Sequence, residues 1–450
     1  MMRLDSTGIE YFAGRARRPV GLFLALAMAG IGTEAAAQQS ADIDRLKALI
    51  EAQQQQLDAL REELEAMRAD QVPQTSGERL DPYETETMMA PAAQEREPMT
   101  PTRGVVLLRR EDGALVTLSG QINQAMNIAD DGKSTDLYFV DNDVSGSRFR
   151  LAANAPLGQA TMGAVLEVGV SGNNSYEVSQ DNQRADDVFT VRHADLRIRD
   201  DGWGQFWFGR GSAASDGKAE YDLSLVASSI MYSGVADPVG GLQFTDGSNL
   251  TGIAVGDAFF NFDGVRMNRV RYDSPMMGPL QASVSAGSDE RWDLGLTLGG
   301  NYGEWSGISV GDFVMLGAVA VADPSSNNVD YRLMGSGSVL HEPTGLSFTV
   351  SAGKDDLKSG SDPYNLYFKL GYDTRLFSVG ATGFGLDYTR NKHVSGQGDE
   401  GESVGLAVLQ TIDSYGIDLY GQFRRYSLDR AVGPSFEDIS VFTAGARWAF

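Results

Sequence analysis

The most distinctive charged residues of this chain are arginines that alternate with apolar side chains. Two segments show the pattern, with two arginines each: Arg148 and Arg150, and Arg269 and Arg271. Successive side chains of an extended strand point to opposite faces, so each segment would present its guanidinium groups on one polar face. A wall of fixed positive charge selects solutes by their charge. We therefore expect these arginines to line a polar passage, although interior salt bridges that brace a protein wall are the alternative.

Catalytic and metal-binding motifs are weak by comparison. Residues 307–311 have the Gly-x-Ser-x-Gly spacing of a nucleophile elbow, but they lie at a turn that enters a strand, where that motif does not function. Residues 141–146 have the acidic start of a calcium-binding loop, but the twelfth position is Ala152 rather than glutamate. We interpret this segment as an acidic surface loop. Cysteine is absent and the three histidines lack metal-ligand spacing, so no metal, cofactor or enzymatic activity is expected.

The elements that would position the arginines are β-strands. From residue 115 to residue 450, segments of about ten residues alternate apolar and polar side chains, which is typical of an all-β transmembrane barrel. Seven short turns alternate with eight longer loops, the first at 130–146 and the third and longest at 211–263. This alternation predicts about sixteen antiparallel strands. Tyr364 and Tyr372 flank an apolar band, as aromatic residues do at membrane interfaces, whereas a soluble β-sandwich or propeller would not need that arrangement.

The first 114 residues are organised differently. Residues 1–37 combine an arginine-rich start, a short apolar run and a small-residue end, which predicts a secretory signal peptide. Residues 38–70 carry a heptad-spaced apolar stripe, which predicts an α-helical coiled-coil stalk; a helix packed on the body of the same chain is the alternative. Residues 71–114 are rich in Pro, Glu and Gln and predict a linker. The stripe consists of Ile43, Leu46, Ile50, Leu57, Leu60, Leu64 and Met67.

Composition excludes some classes of protein. The chain has 61 acidic and 37 basic residues and a formal net charge of −24, so nucleic acid is not an expected partner. It has 53 glycines and only 14 prolines, which suits strands and turns. The apolar run at 20–32 is too short to cross a membrane as a helix.

The barrel segments resemble the general trimeric porins of Gram-negative bacteria. The segments at 192–196 (RHADL) and 204–210 (GQFWFGR) are similar to a recurring stretch of that group. The chain ends at 446–450 with Trp448 and Phe450, and this ending resembles the signal that the barrel-assembly machinery reads. The coiled coil is similar to that of DcaP-like dicarboxylate porins and phosphate-selective porins.

The resemblance implies a homotrimer in the outer membrane, in contact with lipid and lipopolysaccharide, with the stalk in the periplasm. It also implies that the third loop folds into the barrel and faces the arginine wall. Opposed acidic and basic rims would orient dipolar solutes. We therefore expect the carboxylates of this loop at the constriction: Asp216, Glu220, Asp222 and Asp237.

Two further arginines, Arg192 and Arg197, are expected in the passage. Alternation places Arg197 on the polar face of its strand, with His193. It places Arg192 on the opposite face, with Leu196. Either a β-bulge resets the alternation or the resemblance misleads at this residue.

The leading functional hypothesis is a porin that lets small hydrophilic solutes and ions diffuse passively, with a preference for anions or dicarboxylates as an open question. The alternative is an envelope-tethering or structural outer-membrane protein in which the stalk and loops matter more than the channel. A lipid hydrolase built on a barrel is a third class, but the chain lacks a catalytic constellation for it.

Overall fold

The computed structural model describes residues 104–110, 113–288, 290–301, 304–305 and 307–450. The expected signal peptide (1–37), the expected coiled coil (38–70) and most of the expected linker (71–114) lie outside the described residues. Within the described part of that linker, Val105–Arg109 form a strand. The described strands therefore begin before the expected boundary at residue 115.

Strands dominate the described residues. They are β1 (Val105–Arg109), β2 (Leu115–Asp130), β3 (Thr135–Asp141), β4 (Arg148–Leu157), β5 (Ala160–Ser171), β6 (Val188–Asp200), β7 (Gly204–Ser212), β8 (Gln243–Thr245), β9 (Leu250–Ala254), β10 (Arg266–Asp273), β11 (Leu280–Gly287), β12 (Trp292–Leu298), β13 (Gly300–Asn301), β14 (Glu304–Trp305), β15 (Ile308–Val310), β16 (Phe313–Ala322), β17 (Val329–His341), β18 (Leu346–Leu357), β19 (Tyr364–Phe377), β20 (Gly380–Lys392), β21 (Glu400–Ile412), β22 (Ile417–Asp429) and β23 (Ile439–Ala449). Short helical turns lie in connections, at Asp143–Ser145, Leu225–Ser228 and α1 (Val255–Ala258). None of the described helices is long and apolar enough to span a membrane.

Sixteen strand positions close into one antiparallel barrel, which confirms the predicted barrel and its strand number. β3 and β4 share the second position, because both pair with the same edge of β2. β23 closes the ring against β2, with Ala449 opposite Gln121 and Ser440 opposite Asp130. The other strands stand outside this count: β8 with β9 and β13 with β14 form small hairpins, β15 pairs with β16, and β1 pairs with the start of β2.

The barrel is apolar outside and polar inside. On β19, the outward side chains of Leu366 and Leu370 are 38% and 58% exposed. The alternate side chains of Asn365 and Lys369 are each 1% exposed and lie inside. A strand with apolar residues facing out can satisfy its backbone in the ring and face lipid with its side chains. The predicted period of two thus places the polar side chains in the lumen.

The first loop differs from the expected span of 130–146. β3 lies within that span, and the chain then turns inward before β4. Asp141 and Asn142 are each 1% exposed, so the interpretation of 141–146 as an acidic surface loop is wrong. The Asn142 amide donates to the hydroxyl of Tyr420 on β22, 3.0 Å away, which holds the segment in the lumen. Sequence alternation alone does not reveal such a break in a strand.

Candidate functional site

The third loop, residues 213–265, fills a large part of the barrel interior. Side chains on several barrel strands donate hydrogen bonds to its backbone carbonyl groups. The Asn127 amide donates to the Pro238 carbonyl at 2.7 Å, and the Lys369 ammonium donates to the Met231 carbonyl at 2.8 Å. Tyr426 donates to the Val235 carbonyl at 2.7 Å. These contacts come from β2, β19 and β22, so the loop crosses the lumen.

Glycines on the inner wall make room for this loop. A Cβ at Gly371 would lie 2.7 Å from Cβ of Ser224, and one at Gly383 would lie 2.8 Å from Cβ of Leu225. At Gly385 it would lie 2.7 Å from the Met231 sulfur. Real Cβ atoms do not approach neighbours so closely. We call Gly371, Gly383 and Gly385 the glycine track, because the loop lies directly on them.

A cluster of arginines lies on the inner faces of β4 and β6. Arg150 and Arg192 each place Nε close to the Glu167 carboxylate, at 2.7 and 2.6 Å. Arg148 Nε is 3.9 Å from the same carboxylate. The Glu167 side chain is 4% exposed, whereas that of Arg192 is 27% exposed. We call Arg148, Arg150, Arg192 and Glu167 the arginine wall; it presents more positive than negative charge to the lumen.

A β-bulge delivers Arg192 to this wall. Glu167 of β5 pairs with His193, but the next residue, Val168, pairs with Val191, so Arg192 is an extra residue in β6. An inserted residue reverses the alternation on one side of it. Alternation alone places Arg192 on the outer face, but with the bulge its side chain lies beside the buried Glu167.

Of the other expected arginines, Arg197 and Arg269 are buried in the wall, whereas Arg271 is as exposed as Arg150. Arg269 donates to the Asp195 carboxylate at 2.8 Å, and both side chains are fully buried. Arg197 donates to Asn154 at 2.5 Å, and its residue is 7% exposed. Arg271 lies 2.9 Å from Asp273. The guanidinium groups of Arg197 and Arg269 also lie 5.8 and 5.5 Å from the centroid of the Trp207 ring, so they brace the wall.

Each of the four expected acids of the loop has a partner within the protein. Asp222 is 2.5 Å from the Lys369 ammonium, with both side chains buried, so this pair anchors the loop to β19. Glu220 is 5% exposed and accepts the Asn261 amide at 3.0 Å. Asp216 lies 3.8 Å from Arg266 and accepts the Ser212 hydroxyl. Asp237 accepts the Tyr232 hydroxyl.

A narrow cavity separates the arginine wall from the loop. Its volume is about 170 Å³. Arg148, Arg192 and Arg266 line it with positive charge, and Asp143 and Asp237 line it with negative charge. Two of these residues were not among the expected site residues. Arg266 is three residues before Arg269 at the start of β10, and Asp143 belongs to the segment that we had assigned to the surface.

The described residues contain no group of three or more His, Asp or Glu side chains arranged to hold a metal ion. In the segment that begins like a calcium loop, the side chains have protein partners. Asp141 accepts the Ser147 backbone amide at 3.0 Å, and Asn142 accepts the Val144 amide at 3.2 Å. The geometry of this segment is that of a structural turn.

The chain end lies at the seam of the barrel. The Phe450 ring is 5.0 Å from the Trp448 ring and 6.0 Å from the Phe149 ring, measured between centroids. Phe450 also exchanges backbone hydrogen bonds with Gly120 of β2, at 2.8 and 2.9 Å. Trp448 and Phe450 therefore contribute to closing the ring; their reading as an assembly signal stays a prediction.

Comparisons with known proteins agree with this architecture. A family model described as Gram-negative porin matches residues 91–431. The structure is similar to an anion-selective porin from Comamonas acidovorans, with a TM-score of 0.51 and 14% identity over 75% of this chain and 100% of that chain. It is also similar to the outer-membrane channel DcaP of Acinetobacter baumannii, with a TM-score of 0.48 and 13% identity over 77% of this chain and 100% of that chain. These likenesses concern the fold alone. No curated protein sequence matches the chain.

Proposed function

The chain belongs to the Gram-negative porin family, and we propose that the arginine wall gives this outer-membrane channel a preference for anions. A member of this family is a channel through which small hydrophilic solutes and ions diffuse passively. The family and the fold are typical of channels without enzymatic activity. The observation that carries the proposal is the convergence of Arg148, Arg150 and Arg192 on Glu167.

The charge balance at this wall favours anions. Three guanidinium groups share one carboxylate, and that carboxylate is the most buried member of the group. An ion in the cavity therefore meets the outer guanidinium atoms of Arg192 before it meets Glu167. In a narrow, protein-lined passage the electrostatic interaction between an ion and a fixed charge is strong, because little water screens it. A dicarboxylate is one organic anion that such a wall can pair with, since its two carboxylates can use separate arginines.

The third loop makes the wall effective. Because the loop crosses the lumen and faces Arg148 and Arg192 across a cavity of about 170 Å³, we expect a solute to pass close to these arginines. A wide pore would let ions pass beyond the reach of these charges, since the Debye length is about 8 Å at physiological salt.

We also propose the assembly that the sequence suggests. Three copies would associate through the coiled coil at 38–70, with the linker at 71–103 joining each stalk to its barrel. Insertion by the barrel-assembly machinery, contact with lipid and lipopolysaccharide, and a periplasmic position of the stalk belong to the same proposal. It is supported by the heptad stripe and by the aromatic residues Trp448 and Phe450 at the closure of β23 against β2.

Planar-bilayer recording tests the anion preference. In a salt gradient, the reversal potential of the wild-type channel should have the sign of anion selectivity. Arg192→Gln should move the potential toward zero, because Glu167 keeps two guanidinium partners while the wall loses one charge. Arg425→Gln is the matched control, since Arg425 lies on the outer face and pairs with Asp438. A cation-selective wild type would overturn the proposal, and so would the absence of discrete channel openings.

A further inference from the structure

We propose that a hairpin of the third loop is a strap by which connections on the outer side of the barrel hold the passage in one shape, so that an event at the cell surface can change the current. The hairpin consists of β8, β9 and the turn at 246–249. We call residues 240–256 the strap. The inference rests on the proposed channel function and adds a means of control to it.

The strap reaches from the lumen to the outer side of the barrel. Among the described strands, β8 and β9 pair with each other alone. The turn at its tip is exposed, and the Asp246 carboxylate accepts the backbone amides of Ser248 and Asn249 at 2.9 and 2.7 Å. The connections that contact the strap belong to the longer set. In outer-membrane barrels the long loops face the outside and the short turns face the periplasm.

Two of these connections meet on β8. The side chain of Gln180, between β5 and β6, donates to the Gln243 carbonyl at 2.8 Å and accepts the Gln243 backbone amide at 2.9 Å, as a neighbouring strand would. It also donates to the Asp131 carboxylate, between β2 and β3, at 3.0 Å. The Thr245 hydroxyl donates to the Asp131 carbonyl at 2.8 Å. Gln180 therefore joins both connections to the strap.

A third connection, between β22 and β23, covers the same hairpin. The Glu437 backbone amide donates to the Thr245 carbonyl at 2.8 Å. Phe244 is fully buried, and its ring is stacked on that of Phe436 with 6.2 Å between the centroids. Three connections that are far apart in the sequence thus hold one hairpin.

The inner end of the strap lies next to the cavity beside the arginine wall. The Val255 amide donates to the Leu242 carbonyl and the Gly256 amide donates to the Gly240 carbonyl, each at 2.8 Å, so the pairing of the hairpin continues to its base. Asp237, which lines the cavity, is three residues before Gly240. A displacement of the strap would therefore move part of the cavity lining.

Backbone strain after the strap gives the loop a reason to move when the strap is released. Phe262 has a φ of 58°, in the left-handed region, and is 1% exposed. A residue other than glycine keeps such a conformation only when its surroundings impose it. The strap is one of the constraints on this part of the loop, since it ends six residues earlier. Its release would let the loop leave the described arrangement.

Gln180→Leu tests the strap. It keeps the approximate volume of the side chain and removes its hydrogen bonds to Gln243 and Asp131. Single-channel recording in planar bilayers measures how often the current changes level. We expect the rate of level changes to rise at least about fivefold, because the loss of one net hydrogen bond changes an equilibrium by roughly that factor.

The matched control is Gln397→Leu, which should conduct like the wild type. Gln397 also joins two outer connections, but it accepts the backbone amide of Ser361, a residue outside the strap, at 3.1 Å. A Gln180→Leu channel as steady as the wild type would overturn the inference, and so would equal unsteadiness in the control. If Gln180→Leu forms no channels, Thr245→Val is the second variant, since it removes the hydrogen bond to the Asp131 carbonyl. The anion preference is measured separately by the reversal potential, so either result leaves the proposed function intact.

A label at the tip tests control from outside. The chain has no cysteine, so Asn249→Cys provides a single thiol for a biotin label. Streptavidin added on the loop side should change the current level, and streptavidin added on the turn side should not. Val432→Cys carries the same label outside the strap, at a residue that is 80% exposed. An equal change with the label at Val432, or no change with the label at Asn249, would overturn control through the strap.

Discussion

Glu167 holds a single negative charge against three arginines, so it limits how positive the passage becomes. Glu167→Gln keeps the volume of the side chain but removes its charge, and it leaves one oxygen instead of two to accept from Arg150 and Arg192. We expect the reversal potential in a salt gradient to shift further toward anion selectivity. Glu400→Gln is the control, because Glu400 pairs with Arg390 on the outer face of the barrel. A shift toward cations in Glu167→Gln would contradict the assignment of the arginine wall.

Single residues also show where sequence reasoning succeeds and where it stops. Alternation placed Arg148 and Arg150 in the lumen, because β4 runs without an inserted residue through this segment. It failed at Arg192, where the bulge depends on how β5 pairs with β6. A bulge is a property of two strands together, so one strand read alone does not contain it.

The glycine track is the element-scale feature that determines the shape of the passage. Gly385→Val would push branched carbons into the Met231 sulfur and the Val226 side chain, which lie 2.7 and 2.8 Å from the added Cβ. We expect the third loop to leave the wall and the single-channel conductance to change. Noisier open-channel current is expected for the same reason.

The matched control is Gly421→Val, where the nearest atom to an added Cβ would lie 3.8 Å away, at ordinary van der Waals distance. Bilayer recording compares the two variants at one salt concentration. If both variants conduct like the wild type, the loop is not held by the track. If both fail to form channels, the loss comes from adding a side chain to a barrel strand rather than from contact with the loop.

At the scale of elements, the strands were more predictable than the loop. The period of two determines which side chains face lipid. The alternation of short turns with long loops determines the number of strands. The position of the third loop was predictable to within two residues, at 211–263 against 213–265. Its path was not, because contacts such as Lys369 with Met231 join residues far apart in the chain. No local pattern encodes them.

The proposed coiled-coil stalk leads to a prediction for the whole molecule. Deleting residues 41–69 should leave single-channel conductance unchanged, because the described barrel closes through β2 and β23 without them. The oligomer should dissociate at a lower temperature, because an apolar heptad stripe would no longer join the copies. Gel mobility of heated and unheated samples measures the second effect. Loss of the channel itself in this deletion would show that the stalk also supports the barrel.

The loop that fills the lumen also bears on drug entry. The cavity beside the arginine wall, about 170 Å³, is smaller than the roughly 300–1,000 Å³ pockets that enclose drug-sized molecules. A larger antibiotic would have to displace a loop that is fastened to β2, β19 and β22. We therefore expect small solutes to pass this channel more readily than bulky antibiotics. Substitutions that loosen the loop would make a cell that carries this channel more sensitive to such drugs.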